Sequence, residues 1–187
     1  MILPAVRILM MSLHNNVRKI VYLGIFLALA MIFSYVESLI PVPFAVPGMK
    51  LGLPNVVIVL VLYCIGTREA LLVNALRIFL TGILFTNAFS ILFSLGGAVF
   101  SFVAMLLAKQ LLKSHMVIVS TIGGVMHNVG QFVMALFLVQ NFSVSYYLPF
   151  LLVMGFVTGL CIGIASTEVY KRIYGRFFSR FHQEKKG

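Results

Sequence analysis

The sequence predicts an all-α, polytopic integral membrane protein with six transmembrane helices. Of its 187 residues, 61% are hydrophobic and only 10% are charged, and the mean hydropathy is +1.10. Long runs such as 20–39 and 88–108 contain few or no charged residues, which is the composition of a helix that crosses a bilayer. A soluble domain would need polar surface that most of these segments lack.

Six apolar segments follow one another along the chain. We place them at residues 20–39, 53–66, 70–85, 88–108, 116–139 and 147–169. The second and third are shorter than the ~20 residues of a straight span, so we expect them to be tilted, extended into their flanking loops, or interrupted near Asn74 and Gly82. Short or broken spans often line a polar site.

Basic residues set the predicted orientation. Of the 14 Lys and Arg, Arg77 lies inside a span, Lys50 on one side of the membrane and the other twelve on the opposite side, so the positive-inside rule places both termini in the cytoplasm. Residues 1–19 then form a cytoplasmic N-terminal segment, 20–169 the membrane domain and 170–187 a basic cytoplasmic tail. We expect the protein in the cytoplasmic (plasma) membrane. Whether Met1 or a later Met is the true start stays open.

The sequence argues against several other classes of function. The net charge of +10 could suggest a nucleic-acid partner, but the basic residues flank the spans instead of forming one stripe with interleaved aromatics. The chain has no Walker A sequence, no triad partner for His127 and no metal-ligand spacing, and Cys64 and Cys161 fit packing better than a disulfide or metal pair. We therefore expect no enzyme activity, no cofactor, no metal and no nucleic-acid partner.

The loop after the first span is rich in proline and apolar residues. Residues 41–55 hold four prolines and two glycines, so they cannot continue as regular helix. The segment could be a simple connector. We favour an ordered, partly re-entrant lid over an outward-facing pocket, with Lys50 and Asn55 pointing into that pocket.

Arg77 lies inside an apolar run, where a guanidinium is costly unless something pairs with it. Asn74, Arg77 and Thr81 are spaced three and four apart and so share one helical face. A second polar stripe follows the fifth span: Ser120, Gly124, His127, Asn128 and Gln131. The stripes could be an interhelical hydrogen-bond network that only holds the bundle together. We favour a binding site.

The acidic residues bear on what that site would bind. The chain has no Asp, and Glu37, Glu69, Glu168 and Glu184 all lie at span ends or in the tail, so no carboxylate inside a span is expected to neutralise Arg77. An unpaired guanidinium in a cavity is a natural receptor for a carboxylate or phosphate, which it can bind with two parallel hydrogen bonds. The sequence therefore predicts a substrate with at least one negative charge.

Two stripes of small residues complete the pattern. Ser90, Ser94, Gly97 and Ser101 share a face of the fourth span and favour close helix packing. Gly24 and Ala28 in the first span could make an internal contact or a docking face for another membrane subunit.

Four motifs together resemble one known family. They are PGMKLGLPN at 47–55, ALRIFL at 75–80, FSLGG at 93–97 and HNVGQ at 127–131. Chains with these motifs are similar to the Gx transporter family, also labelled heptaprenyl diphosphate synthase component I, which is similar in size and topology to the substrate-binding S components of energy-coupling factor transporters. One departure is Pro54, which stands where the family pattern has a small residue before the Asn.

The resemblance implies an S-component-like bundle that takes up a small, anionic or polar-headed solute, energised by cytoplasmic ATPases through a membrane coupling subunit. In that hypothesis Arg77 and Asn74 belong to the anion site, His127, Asn128 and Gln131 supply hydrogen bonds, and Lys50 and Asn55 close the loop. The partners are then the solute, membrane lipid and the coupling machinery. Two alternatives stay open: an autonomous secondary carrier, and an accessory membrane component of isoprenoid or quinone synthesis. The chain cannot be a prenyl diphosphate synthase by itself, because that chemistry needs Asp-rich motifs for magnesium.

Overall fold

The computed structural model describes residues 2–40, 50–85, 87–111, 115–140 and 142–174. Its helices are α1 (Ile2–Ser38), α2 (Asn55–Cys64), α3 (Thr67–Phe85), α4 (Ala88–Leu111), α5 (Met116–Val139) and α6 (Leu148–Ile173), with a short 3-10 helix, Phe142–Tyr147, leading into α6. The described residues contain no β-strand, which confirms the predicted all-α class. The predicted tail beyond Tyr174 and most of the predicted lid lie outside the described residues, and α6 extends into the first residues of that tail.

Within the described residues, four helical segments are long and apolar enough to cross a membrane. They are Asn16–Ser38, Ala88–Leu111, Met116–Val139 and Val144–Ile173. α3 has 19 residues but carries Arg68, Glu69 and Arg77, and α2 has 10 residues and a length of roughly 15 Å, too short to cross alone. The structure thus confirms a helical membrane protein with a short second segment. The third helix extends into its flanking loop and is not interrupted near Asn74 or Gly82. Six full spans are not confirmed.

α1 is longer than the predicted first span. The helix runs from Ile2 to Ser38 without interruption, so the segment predicted to precede the membrane domain continues directly into it. The buried face of α1 carries Phe26, Ala30, Ser34 and Glu37, which recur every three or four residues. Gly24 lies on the opposite, exposed side, where an added Cβ would have no atom within 4 Å. Ala28 is exposed as well, so this pair makes no internal contact.

The third helix buries polar side chains and exposes apolar ones. On α3 the buried residues include Asn74, Arg77 and Thr81, whereas Phe79 and Ile83 are exposed. This distribution is the reverse of a soluble protein and fits a surface that faces lipid. The predicted polar face of the third span is therefore the interior face.

Glycines bring α4, α5 and α6 into close backbone contact. An added Cβ at Gly124 would lie 2.5 Å from the carbonyl oxygen of Gly155, and one at Gly130 would lie 2.3 Å from that of Gly96. Along α6, Gly155, Gly159 and Gly163 repeat every four residues and all face α5. Small residues at this spacing let helix backbones approach closely in membrane proteins.

α2 lies at the centre of the molecule. Eight of its ten residues are buried, and it packs against α1, α3, α5 and α6. Val57, Ile58, Val61 and Leu62 fill the largest apolar cluster, together with residues of α3 and α4. Lys109 of α4 donates to the Leu62 carbonyl near the end of α2 at 2.9 Å, which satisfies one backbone acceptor at a helix end. A short central helix of this kind fixes the position of the loop residues that precede it.

Close packing of α5 and α6 gives a matched pair of glycine substitutions. Gly159→Ala should lower the melting temperature of the purified protein by several degrees, because its Cβ would lie 2.8 Å from the Ser120 carbonyl oxygen and overpacking costs about 1–3 kcal/mol. Gly24→Ala adds the same methyl group in open space and should leave the melting temperature unchanged or raise it. Equal melting temperatures for the two variants would contradict the α5–α6 contact. Differential scanning fluorimetry in one detergent measures both.

Candidate functional site

The site forms around the residues that lead into α2, from Lys50 to Asn55, which we call the entry segment. Gly52 has a φ of +88°, a conformation that glycine adopts without the penalty other residues incur. An added Cβ there would lie 2.9 Å from Asn55 Nδ2 and 3.4 Å from His127 Cδ2. The backbone N–H of Asn55 donates to the Gly52 carbonyl at 2.9 Å, which closes a tight turn into the helix. The positive φ and the nearby side chains therefore both favour glycine at position 52.

Side chains from two helices hold the backbone of the entry segment. Glu37 of α1 accepts hydrogen bonds from the backbone N–H groups of Gly52 and Leu53 through Oε1, the latter at 3.1 Å. Gln131 of α5 binds both backbone polar groups of Lys50. Its Oε1 accepts from the Lys50 backbone N–H at 3.0 Å, and its Nε2 donates to the Lys50 backbone carbonyl at 3.1 Å. These described residues of the predicted lid lie against the bundle interior.

Gln131 also determines which ring nitrogen of His127 carries the proton. The two Nε2 atoms are 2.7 Å apart, and since the amide nitrogen can only donate, the imidazole Nε2 accepts and the ring proton lies on Nδ1. The ring packs against Gly97, where an added Cβ would lie 2.6 Å from His127 Cε1. The small residue at position 97, predicted as a packing feature, therefore makes room for the imidazole.

Arg77 is held by polar side chains of α1 and α3. Its Nη1 donates to Ser34 Oγ at 3.2 Å and its Nη2 donates to Asn74 Oδ1 at 2.7 Å. The side chain is 3% exposed, and its Nε–H has no hydrogen-bond partner. Two of the five N–H groups of the guanidinium are thus used to position it, and Nε is the nitrogen that has no partner.

The expectation that no carboxylate lies near Arg77 is wrong. Glu37 is 4% exposed and interacts electrostatically with both Arg77 and Lys50, although no ion pair within 4.0 Å joins it to either. The sequence suggested a position at the end of a span, but the helix turns this residue inward one turn after Ser34. Burial lowers the pKa of the Lys50 ammonium, and the Glu37 carboxylate opposes that shift. The centre contains two basic groups and one acidic group.

The structure brings most of the predicted site residues together. Gln131, His127, Asn55 and the backbone of Lys50 meet at the entry segment, and His127 interacts electrostatically with Arg77. Asn74 contacts Arg77 directly.

Asn128 lies away from this group. Its Nδ2 donates to the Leu151 carbonyl of α6 at 2.7 Å, so it joins α5 to α6. Ser34 and Glu37 were missed by sequence reasoning. Their three-residue spacing on one face of the first span was the signal that could have identified them.

Four buried side-chain atoms make no hydrogen bond of good geometry among the described residues: Glu37 Oε2, Arg77 Nε, His127 Nδ1 and Ser101 Oγ. The His127 ring does interact with the backbone of Gly97, so its Nδ1 is the least isolated of the four. Leaving a buried polar atom unpaired costs about 1–3 kcal/mol, so each such atom in a native protein needs an explanation. Three of the four belong to side chains of the same electrostatic centre. Groups of three metal-binding side chains are absent from the described parts of the chain.

A bundle of apolar helices around a buried centre of Arg, Glu, His and Gln side chains defines a polytopic membrane protein with an internal polar site. A family model identifies the chain more closely. The model for heptaprenyl diphosphate synthase component I matches residues 26–169, which include all of the site residues, and the chain belongs to that family. Comparison with curated proteins and with solved structures finds no match.

Replacing Gln131 tests how the entry segment is held. Gln131→Leu removes both hydrogen bonds to Lys50, so the entry segment should exchange its backbone amides at least about tenfold faster, corresponding to 1–3 kcal/mol of lost protection. Hydrogen–deuterium exchange with mass spectrometry measures this in the purified protein. Thr121→Val is the control on the same helix, because Thr121 bonds only to the Val117 carbonyl of its own turn. Unchanged amide exchange in Gln131→Leu would refute the role of Gln131 in holding the entry segment.

Proposed function

We propose that this protein is a membrane-embedded substrate-binding subunit for the uptake of a small, anionic solute. The observation that carries the proposal is Arg77, a guanidinium that is 3% exposed, is positioned by Ser34 and Asn74, and keeps an unpartnered Nε–H. A buried cation with a free donor is a receptor for an oxyanion, since charge-assisted hydrogen bonds are strong in a water-poor interior.

The charge balance also favours an anionic ligand. Counted with the charges these side chains ordinarily carry at neutral pH, Arg77, Lys50 and Glu37 give a formal charge of +1, the sum of two positive charges and one negative charge. A carboxylate or phosphate monoester would neutralise it. In this proposal Arg77 binds the anionic group, His127 donates from Nδ1, and the entry segment covers the solute.

Transport needs an energy source, and the described residues suggest none within the chain. The resemblance to S components of energy-coupling factor transporters supports cytoplasmic ATPases acting through a membrane coupling subunit. The family description as a component of a larger system supports an assembly of several subunits. The distribution of Lys and Arg supports both termini in the cytoplasm and a site that opens outward. The exposed pair Gly24 and Ala28 is our proposed docking face.

The family description also favours a second function, as an accessory component of prenyl diphosphate synthesis. Because the chain has no Asp, it would serve there as a non-catalytic subunit or as a supplier of a precursor. Copurification distinguishes these functions. ATPase subunits support the transport assembly, a soluble prenyltransferase supports the accessory role, and uptake by the protein alone in vesicles supports an autonomous carrier.

Arg77 provides the central test of anion binding. Arg77→Lys should weaken binding of the ligand retained by the purified protein at least tenfold, because an ammonium cannot reproduce the guanidinium hydrogen bonds, each of which is worth about 1.5–3 kcal/mol. Arg77→Ala should abolish binding. Arg68→Ala removes a positive charge from the exposed first turn of the same helix and should bind normally. Native mass spectrometry of retained ligand measures all three.

Folded, monodisperse Arg77→Lys protein with wild-type ligand occupancy would contradict the proposal. If Arg77→Ala aggregates, its lost binding has no bearing on the site, and the Lys variant decides.

Gly24 tests the proposed docking face. Gly24→Leu should leave ligand affinity and melting temperature unchanged, since the glycine has open space around it, while uptake in cells or vesicles with the complete system is lost. Normal uptake, or a lowered melting temperature of the isolated protein, rejects docking at this position.

A further inference from the structure

Glu37 has more hydrogen-bonding capacity than its structural role uses. One carboxylate oxygen, Oε1, accepts from the two backbone N–H groups of the entry segment, and the other, Oε2, accepts from nothing in the described structure. The residue is 4% exposed, so bulk water does not satisfy this oxygen. Holding the loop would need only one of the two oxygens, and an amide could supply it. A carboxylate is present where a neutral acceptor would suffice.

The unpartnered oxygen lies close to an unpartnered donor. Arg77 contacts Ser34, and Glu37 follows Ser34 by three residues on the same buried face of α1, which is roughly 4.5 Å along the helix axis. Glu37 and Arg77 interact electrostatically without an ion pair within 4.0 Å. Two buried groups of opposite charge, each with an unpartnered hydrogen-bonding atom, thus lie near each other without forming an ion pair.

Positioning contacts keep the two groups from meeting directly. Ser34 and Asn74 hold the two Nη atoms of Arg77, and the backbone N–H groups of Gly52 and Leu53 hold Oε1 of Glu37. The Lys50 ammonium makes no ion pair with Glu37 in the described part of the chain. The free atoms, Nε–H and Oε2, therefore require a third partner that accepts at one end and donates at the other.

We propose that the solute carries a hydrogen-bond donor, an amino or hydroxyl group, close to its anionic group, so that Arg77 binds the anion and Glu37 Oε2 accepts from the donor. This inference rests on the proposed function and narrows its substrate class to hydroxy or amino derivatives of small carboxylates or phosphate monoesters. A simple anion without a donor would leave Oε2 unpaired. Sites built to hydrogen-bond a substrate hydroxyl or amino group discriminate strongly against analogues that lack it.

The test uses matched pairs of small anions that differ by one donor. The probes are propanoate with 2-hydroxypropanoate and 2-aminopropanoate, butanoate with its 3- and 4-substituted hydroxy and amino acids, and ethyl phosphate with 2-hydroxyethyl and 2-aminoethyl phosphate. Dissociation constants come from thermal-shift titrations of the purified full-length protein in detergent. In the wild type, at least one donor-bearing member should bind about tenfold or more tightly than its donor-free partner, the value of one hydrogen bond to a charged acceptor.

Glu37→Gln assigns the preference to this residue. The amide oxygen can still accept from the entry segment, but the atom that replaces Oε2 becomes a donor. A protonated amine can only donate, so the ratio of affinities within the pairs that contain an amino member should fall to about one, whereas a hydroxyl could still accept from the amide. Using the ratio within one variant removes general effects of the substitution on folding. Glu168→Gln is the matched control, because Glu168 is exposed and forms an ion pair with Lys171 on its own helix, and it should keep the wild-type ratio.

The outcomes separate this inference from the anion site. If donor-free and donor-bearing anions bind equally well to the wild type, or if Glu37→Gln keeps the wild-type ratio in the pairs that contain an amino member, the role of Glu37 is refuted while the anion site stands. If no anion in the panel stabilises the protein, or Arg77→Lys weakens none of them, the anion site fails and this inference fails with it.

Discussion

The arrangement of this protein depends on one constraint, which is that peptide groups buried in an apolar bundle must be hydrogen-bonded. The entry segment places irregular backbone beside a central helix where water is scarce, and each of its unpaired N–H or C=O groups would cost free energy. Glu37 and Gln131 supply the partners for Lys50, Gly52 and Leu53. Irregular backbone at such depth is tolerated where protein surrounds it or where it lines a cavity, and here the surrounding side chains are charged or amide-bearing.

Much of the remaining packing follows from meeting that constraint. Gln131 can reach Lys50 only because α5 lies close to the centre, and the glycine contacts between α4, α5 and α6 hold it there. Gly97 gives room to His127, which in turn orients the Gln131 amide through the 2.7 Å contact between their Nε2 atoms. Ser34 and Glu37 bring α1 to the same centre, although most of the segment Asn16–Ser38 is exposed. Polar contacts thus determine where the apolar helices sit.

The sequence allowed part of this to be predicted and concealed the rest for physical reasons. Helical periodicity placed Asn74, Arg77 and Thr81 on one interior face, because a charged group in an apolar run has few other places to go. Glu37 was misjudged because it lies in the last turn of an apolar run, and the sequence does not reveal whether such a residue points to water or inward. Asn128 follows the same stripe as His127 and Gln131, yet it bonds to α6, since which neighbour faces each side of a helix is a tertiary property. The close α5–α6 contact through Gly155, Gly159 and Gly163 had a four-residue spacing that could have been recognised.

A buried Arg and a buried Glu that attract each other without touching need a reason to persist. Direct pairing would recover part of the desolvation cost of both charges, and burying two charges that stay apart is less favourable than burying the pair. The contacts of Arg77 with Ser34 and Asn74, and of Glu37 with the entry segment, prevent that pairing. Such an arrangement favours ligand binding, because a ligand that bridges both groups gains the interactions that the protein itself does not make.

The same reasoning explains why the unpartnered atoms cluster in one place instead of being scattered through the bundle. Three of the four belong to Glu37, Arg77 and His127, which share one electrostatic centre at the entry to α2.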